Sequence, residues 1–357
     1  MDVIQSLKNY FHQSPLAFMR TVPAETLSFD QRAQYMCKFG CKNYGRKYSC
    51  PPESLKVLNK IHKHKYQWAI LYATTYKLGN GYSRYMVRAL NHQKESEIQR
   101  ICNQIGDILD SNAISHLLLS GGSCRKCKEC SLTYKEVCKK PDLRQVSMEA
   151  VSIDCQKTMH SAGFDFQMPN NGSINRCGCI LTDDDKLSTI HFNSIESLQK
   201  LAYPTKEDAS AMCSRILAEY PQMYDRVQLI PLAEICKGDS PCETCEHYGT
   251  NFSCPPYSQK MDIDLWDFGI LWKWRENNRK KYRYNLALKT IHRAFFSLGY
   301  YFAFSLRDCS CEECQSCSYL HSDKSVCNSR QLLSPSMQSQ GISPSQFGEG
   351  KLGLELI

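Results

Sequence analysis

Between residues 66 and 120 the spacing of the apolar positions changes twice. The segment YQWAILYATTY (66–76) is dense in aromatic and β-favouring residues and predicts a strand. SRYMVRALNHQKESEIQRICNQIGDIL (83–109) then places its apolar residues at helical intervals, and ISHLLLS (114–120) returns to a strand that runs straight into a group of cysteines. The order recurs later as DFGILWKW (267–274), RYNLALKTIHRAFFSL (283–298) and YYFAFSL (300–306). A strand–helix–strand unit predicts a parallel pair with a crossover helix, so each half reads as a small α/β domain with its cysteine loops at the carboxyl ends of strands. After the first cysteine group, VSMEAVSIDCQKTMHSAGFDF (146–166) predicts a helix of roughly four turns and a short extended piece.

The recurrence extends to the polar positions. GCKNYGRKYSCPPE (40–53) aligns without a gap on TCEHYGTNFSCPPY (244–257), sharing Cys41/Cys245, Tyr44/Tyr248, Gly45/Gly249, Ser49/Ser253 and both Cys-Pro-Pro triplets. One more cysteine precedes each motif, Cys37 in the first copy and Cys242 in the second. Downstream, Cys124, Cys127, Cys130 and Cys138 correspond to Cys311, Cys314, Cys317 and Cys327. The chain is thus a tandem duplication, with a first repeat over 1–168, a linker region over 169–205 and a second, diverged repeat over 206–357. Pro169, the NNGS turn and the TDDDK run carry the linker reading. The Gly-, Ser- and Pro-rich end, SPSQFGEGKLGLELI (343–357), predicts a loosely held terminus.

Composition narrows the chemistry. At 357 residues the chain exceeds the size that one core usually serves. No stretch has the apolar run of a membrane span, and the opening lacks the apolar core of a secretion signal, so a cytoplasmic protein is expected. In a reducing compartment, 21 cysteines point to metal ligation or redox chemistry rather than to a disulfide framework. The net charge of +8 does not demand nucleic acid. Basic residues do gather around the first cysteine run (Arg125, Lys126, Lys128, Lys135, Lys139, Lys140, Arg144), which suits an acidic redox partner or a phosphorylated substrate, while Asp308, Glu312, Glu313 and Asp323 mark the second. No Gly-rich dinucleotide fingerprint or Walker loop is present: LGNGYS lacks the required spacing. The sequence leaves the oligomeric state open.

A C-x2-C-x2-C run wraps three thiolates around one compact cluster, and bacterial ferredoxins add a fourth cysteine followed by proline. Cys138 with Pro141 echoes that arrangement at longer spacing. Zinc competes for four thiolates, but its sites generally use two separated knuckles. The expected cofactors are therefore at least two [4Fe–4S] clusters, and up to four, with zinc as the alternative. One set is Cys124, Cys127, Cys130 and Cys138, and the other is Cys311, Cys314, Cys317 and Cys327. The earlier motifs offer three thiols each, Cys37, Cys41 and Cys50, then Cys242, Cys245 and Cys254, with Cys236 placed to complete the second. Cys102 and Cys155 are unsupported helpers for the first. Three thiols alone leave one iron open to a small molecule, or the cysteines add ligands to one shared metal or a structural zinc. Cys102 and Cys213, on amphipathic helices, read as core thiols. Cys177 and Cys179 pair with His191 only if the linker binds metal; a plain turn is the simpler reading.

With GGSCRKCKEC, VCKKP, SMEAVSID and CKNYGRKYSCPP in view, the chain resembles a family of prokaryotic cysteine-rich proteins known as predicted metal binders without an assigned activity. The resemblance covers most of 35–165 and, more weakly, 236–345. It implies metal binding and no particular reaction. The second copy departs from it: Asp308 and Cys309 replace the two glycines, Arg330 stands opposite Pro141 and Gln338 opposite Glu149. Three functions follow as expectations: an electron carrier or reductase component of anaerobic metabolism, an enzyme using an open iron as Lewis acid, or a zinc-stabilised binding module without redox activity.

Overall fold

The computed structural model describes residues 2–78, 84–166, 172–194, 204–238, 241–246, 248–251, 253–258, 260–275, 281–308 and 334–357. The chain divides into two compact units, the first holding residues 1–37 and 43–201, the second 38–42 and 202–357. The expected second cysteine run, Cys311, Cys314, Cys317 and Cys327, lies outside the described residues, as does Cys309.

In the first unit the described elements run α1 (Val3–Gln13), β1 (Phe18–Pro23), α2 (Arg32–Gly40), α3 (Leu55–His64), β2 (Trp68–Lys77), α4 (Arg84–Ser111), β3 (His116–Ser120), β4 (Val146–Ser147), α5 (Cys155–Ser161), β5 (Ser173–Thr182) and β6 (His191–Asn193). They form a sheet of order β4-β3-β5-β2-β1-β6. The predicted strand–helix–strand reading holds for β2, α4 and β3, but the two strands are not neighbours. β5 lies between them and pairs antiparallel with both, so β2 and β3 run parallel across an intervening strand. One face of the sheet packs on α1 and α4 through Leu7, Ile98, Ile101 and Ile105. The other packs on α3, α5 and the Met148–Ile153 segment.

The second unit repeats this frame with α6 (Lys206–Glu219), β7 (Tyr224–Pro231), β8 (Phe268–Trp274), α7 (Lys281–Leu298), β9 (Phe304–Arg307) and β10 (Leu352–Leu356). Its sheet order is β7-β8-β10-β9, which corresponds strand for strand to β1-β2-β5-β3. The match reaches single residues. Gly178 on β5 faces Tyr72 on β2, and Gly353 on β10 faces Trp272 on β8. In each pair the glycine leaves room for a fully buried ring. Duplication is therefore visible in register as well as in sequence.

Three expectations are corrected. Residues 169–205 are not merely a linker, because β5 within them is the long central strand of the first sheet, paired along both edges. The final residues are not loosely held: β10 sits between β8 and β9 with all five residues buried. The helix expected over 146–166 breaks. Val146–Ser147 pairs with β3, a 3₁₀ turn covers Glu149–Val151, and Ser152 adopts φ 64° before Asp154 caps α5 by accepting from the Lys157 N–H. A left-handed residue cannot continue a right-handed helix.

One buried trio distinguishes the second core. Glu355 on β10 is fully buried, accepts from Ser305 Oγ on β9 and sits 2.8 Å from Nδ1 of His292 on α7. The aligned positions of the first unit are Ile180, Leu118 and Ile105, which pack together in an apolar cluster. Burial by itself would lower the His292 pKa, but the Glu355 carboxylate outweighs it and raises the pKa above the ordinary 6.5. A raised folded-state pKa contributes stability that is complete below the unfolded value and is lost as pH rises through the folded one. The unfolding midpoint of the second unit is therefore expected to fall between about pH 6 and about pH 8. Grafting the first unit's residues as H292I/S305L/E355I should flatten that dependence at neutral or improved stability, because apolar replacement of buried ion pairs is commonly tolerated. Thermal unfolding across that range measures both effects.

Candidate metal centre

In the first unit, β3 ends at Ser120 and the chain turns immediately into the cysteine loop. The turn requires both glycines. Gly122 has φ +74° and a Cβ there would run into the Glu95 carboxylate of α4, and a Cβ at Gly121 would lie 2.9 Å from the Cys177 carbonyl oxygen. From α4, the buried Gln99 donates Nε2 to the carbonyls of Gly121 (3.2 Å) and Ser123 (2.8 Å), pinning the loop's first residues. Gln145 donates in turn to the Gln99 carbonyl at 2.8 Å and to Asn103 Oδ1 at 2.6 Å. Arg125 is paired with Glu95 and lies 2.9 Å from His92 Nδ1. Farther along, Ser131 Oγ donates to the Val137 carbonyl (2.7 Å), which closes the turn that brings Cys138 back.

The Cys-Pro-Pro loop docks on this run. Ser49 Oγ accepts from the Cys124 N–H at 3.0 Å and lies 3.8 Å from Cys50 Sγ. Lys47 Nζ donates to Ser123 Oγ at 3.1 Å and to the Cys124 carbonyl at 2.9 Å. Asn43 Nδ2 donates to Ser123 Oγ at 3.1 Å, and Tyr48 Oη donates to the Glu136 carbonyl at 2.7 Å. Ser54 Oγ ties the far end of the loop to the Ala150 carbonyl at 2.8 Å. The two cysteine motifs of the first copy, about seventy residues apart in sequence, are thus neighbouring loops at the carboxyl end of β3.

The second copy preserves the same loop. Gly45 and Gly249 have φ of 67° and 69°, their N–H groups donate to Pro51 and Pro255 at 2.8 Å each, and both Pro-Pro bonds are cis. Ser253 Oγ sits 3.9 Å from Cys254 Sγ, as Ser49 does from Cys50. Ser258 meets Ser339 where Ser54 meets Ala150. Burial pushes the Cys254 thiol up, and the nearby Cys242 and Cys245 thiols add to that shift. Lys47, by contrast, is replaced by Asn251, which accepts from Ser253 within its own loop.

All described cysteines are free thiols. Cys124, Cys127, Cys130 and Cys138 are each half-buried on one loop, and so are Cys37 and Cys41, whereas Cys50 is buried. Cys41 belongs to the short stretch Lys38–Lys42 grouped with the second unit. In the second copy Cys242 and Cys254 are buried while Cys245 and Cys236 are exposed. The set suits a thiophilic metal in its chemistry: four accessible sulfurs within fifteen residues, with a lysine above the first of them. The donor atoms do not converge, however. Among the described residues no three His, Cys, Asp or Glu side chains come together at metal-binding spacing.

The remaining thiols belong to the cores. Cys102 is fully buried in the α4 cluster, where burial pushes its pKa up to about 11, and Cys213 is buried under α6 at about 12 for the same reason. Cys155 and Cys177 lie in the opposite cluster, Cys155 Sγ donating to the Ile153 carbonyl and Cys177 Sγ to Met148 Sδ at 3.9 Å each, and the neighbouring Cys177 thiol, with burial, holds the Cys155 thiol well above its usual range. Neither Cys102 nor Cys155 joins the first motif. Cys177 and Cys179 lie on β5, with β2 and β1 between them and His191 on β6, so that trio does not form. Sequence reasoning missed Lys47, Asn43 and Gln99, because their role depends on loops meeting across the fold and leaves no spacing signal.

Replacing Ser49 with alanine removes the acceptor of the Cys124 N–H in a nearly water-free position. A loss of about 1–2 kcal/mol is expected, with weaker metal retention. Chemical unfolding and metal titration of S49A report the two.

Fold and loops together define a duplicated α/β protein that carries paired cysteine motifs at the end of a sheet. The chain belongs to the predicted metal-binding protein family DUF2284, whose model matches residues 20–182 and again 233–350, consistent with a tandem pair. No curated protein matches the chain, and no solved structure does. Among the described residues no helix is long and apolar enough to cross a membrane.

Proposed function

We propose that the protein is an iron–sulfur electron carrier or reductase component of anaerobic metabolism, with a [4Fe–4S] cluster held by Cys124, Cys127, Cys130 and Cys138. The observation that supports it is the docking of the Cys-Pro-Pro loop on the cysteine run through Ser49 and Lys47, which makes two distant cysteine motifs neighbouring loops at one sheet end. The ligands need not stand ready beforehand. Gathering thiols over a loop of about fifteen residues costs roughly 2–3 kcal/mol of closure entropy, whereas thiolate metal sites in small peptides release on the order of 10 kcal/mol. The balance favours an ion that draws the loop closed.

By the same reading Cys311, Cys314, Cys317 and Cys327 hold a second cluster, and Cys37, Cys41 and Cys50, then Cys242, Cys245, Cys254 and Cys236, supply further metal ligands in a reducing cytoplasm. Lys47 places a positive charge beside the first cluster where the second copy has neutral Asn251, so the two clusters should differ in potential. Anaerobic isolation followed by visible absorption and EPR of the dithionite-reduced chain is the test. A broad visible band that bleaches on reduction, with a paramagnetic signal appearing, supports the reading; a colourless, EPR-silent zinc protein overturns it.

A further inference from the structure

Sheet edges carry unpaired N–H and C=O groups, and folded chains blunt them with very short end strands or with lysine, proline or a bulge along the edge. Three of the sheet edges among the described residues follow that rule. The first sheet ends on β4, of two residues, and on β6, of three, and beyond β9 the second ends on a single bridge between Arg307 and Ser336. β7 is the exception. It is eight residues long, it stands last in its sheet, and among the described residues it pairs with β8 alone.

The first copy shows what such an edge accepts. Pro23 stands opposite Trp68 as Pro231 stands opposite Phe268, which sets β7 on β1 with Leu229 matching Thr21 and Val227 matching Met19. On β1 the outer edge is covered antiparallel by β6, and just beyond that ladder the Thr21 N–H donates to the Ile190 carbonyl at 2.9 Å. Backbone groups alternate in direction along a strand, so Val227 and Leu229 aim theirs away from β8.

Devices against pairing sit only at the ends of β7. Asp225 is ion-paired with Arg275 at 2.8 Å, in a bulge where the register shifts between Tyr224 and Arg226, and Arg226 donates to the Phe347 carbonyl at 2.6 Å. Pro231 closes the other end. Between them Val227, Gln228, Leu229 and Ile230 carry no charge, and Gln228 is exposed.

An antiparallel edge becomes its own complement when a two-fold axis passes through it. Because Val227 and Leu229 must meet positions of the same phase, the axis falls on a residue. Placed on Arg226, it sets like charges face to face, which is destabilising. Placed on Gln228, it pairs the whole stretch from Arg226 to Ile230: Val227 opposite Leu229, Arg226 opposite Ile230, and two neutral amides at the centre.

We propose that β7 is a self-association edge, at which two copies of the chain pair antiparallel about Gln228 and join their second sheets into one. The cysteine loops and their metal take no part in it.

The experiment uses the full chain, isolated anaerobically, in sedimentation velocity from about 1 to about 100 µM, the range in which a moderate interface assembles. The wild-type chain is expected to pass from monomer to dimer, and hydrogen exchange at the Val227 and Leu229 amides to slow as it does. Q228K and Q228E each place like charges at the axis and should weaken self-association by at least about tenfold. Gln228 is exposed, so circular dichroism of both variants should match wild type. An equimolar mixture of the two should regain pairing, because lysine then faces glutamate. A wild-type chain that stays monomeric at about 100 µM overturns the proposal. So does a dimer that both variants retain, or one whose Val227 and Leu229 amides exchange as fast as in the monomer.

Discussion

Cys127→Ser is expected to strip the first unit of its metal while the fold survives. Cys127 is the middle thiol of the run and is half-buried, and its loop is anchored through Gln99, Ser49 and Ser131 rather than through its own side chain. Losing it leaves three sulfurs where the proposed cluster needs four. Outer-shell changes at metal sites typically cost ten- to a hundredfold in affinity, so removal of a ligand should exceed about a hundredfold. Cys102→Ser supplies the contrast. That thiol is carried by α4 and fully buried in the core, so its replacement should lower stability without changing metal content. Metal analysis and circular dichroism of the two variants separate the roles. Equal metal retention in both would remove Cys127 from the ligand set.

Gly178→Ala and Gly353→Ala are expected to be the most damaging small substitutions to stability. At each position an added Cβ would run into a fully buried aromatic ring, Tyr72 in the first sheet and Trp272 in the second. Neither ring has space to retreat. Tyr72 is walled in by the α4 side of the sheet with its hydroxyl near the Leu119 carbonyl, and Trp272 packs on Tyr224 and Tyr284. Overpacking of this kind costs about 3 kcal/mol, or on the order of 6–12 °C in unfolding midpoint for a unit of this size. Gly238, with nothing near its would-be Cβ, is the neutral control. Matching losses at 178 and 353 would confirm that the duplicated sheets solve one packing problem in the same way.

The sequence made visible those elements whose pattern is local. β2, α4 and β3 announce themselves by change of period, and Cys-Pro-Pro with its upstream glycine recurs closely enough to expose the duplication without structural help. β5 and β10 did not, for a physical reason. Both are central strands covered on two faces and buried almost continuously; β5 (SINRCGCILT) shows no clean alternation, and the five residues of β10 (LGLEL) are a short run at the end of a Gly-, Ser- and Pro-rich stretch. Their partners are also distant: β5 pairs with β2 about a hundred residues upstream, and β10 with β8 about eighty. NNGS before β5 and GEGK before β10 then read as loop. The helix expected after the first cluster failed at one residue, Ser152, whose left-handed backbone has no signature in that sequence.

Spacing named candidate donors, whose sulfurs do not converge among the described residues, and none of the side chains that hold their loop. Spacing alone singled out the half-buried run at 124, 127, 130 and 138. It said nothing of Ser49 receiving the Cys124 N–H or of Lys47 lying across the loop, since these contacts exist only once two segments seventy residues apart meet. Nor did it separate Cys155 and Cys177, both buried inside the core, from the loop thiols. Burial drew that line.

X-ray absorption at the iron edge, on the full chain isolated without oxygen, addresses the cysteine loops most directly. The account predicts iron surrounded by sulfur alone with a close iron neighbour, and both features lost from the first unit in Cys127→Ser. Absorption only at the zinc edge, or iron coordinated chiefly by oxygen or nitrogen, would contradict it.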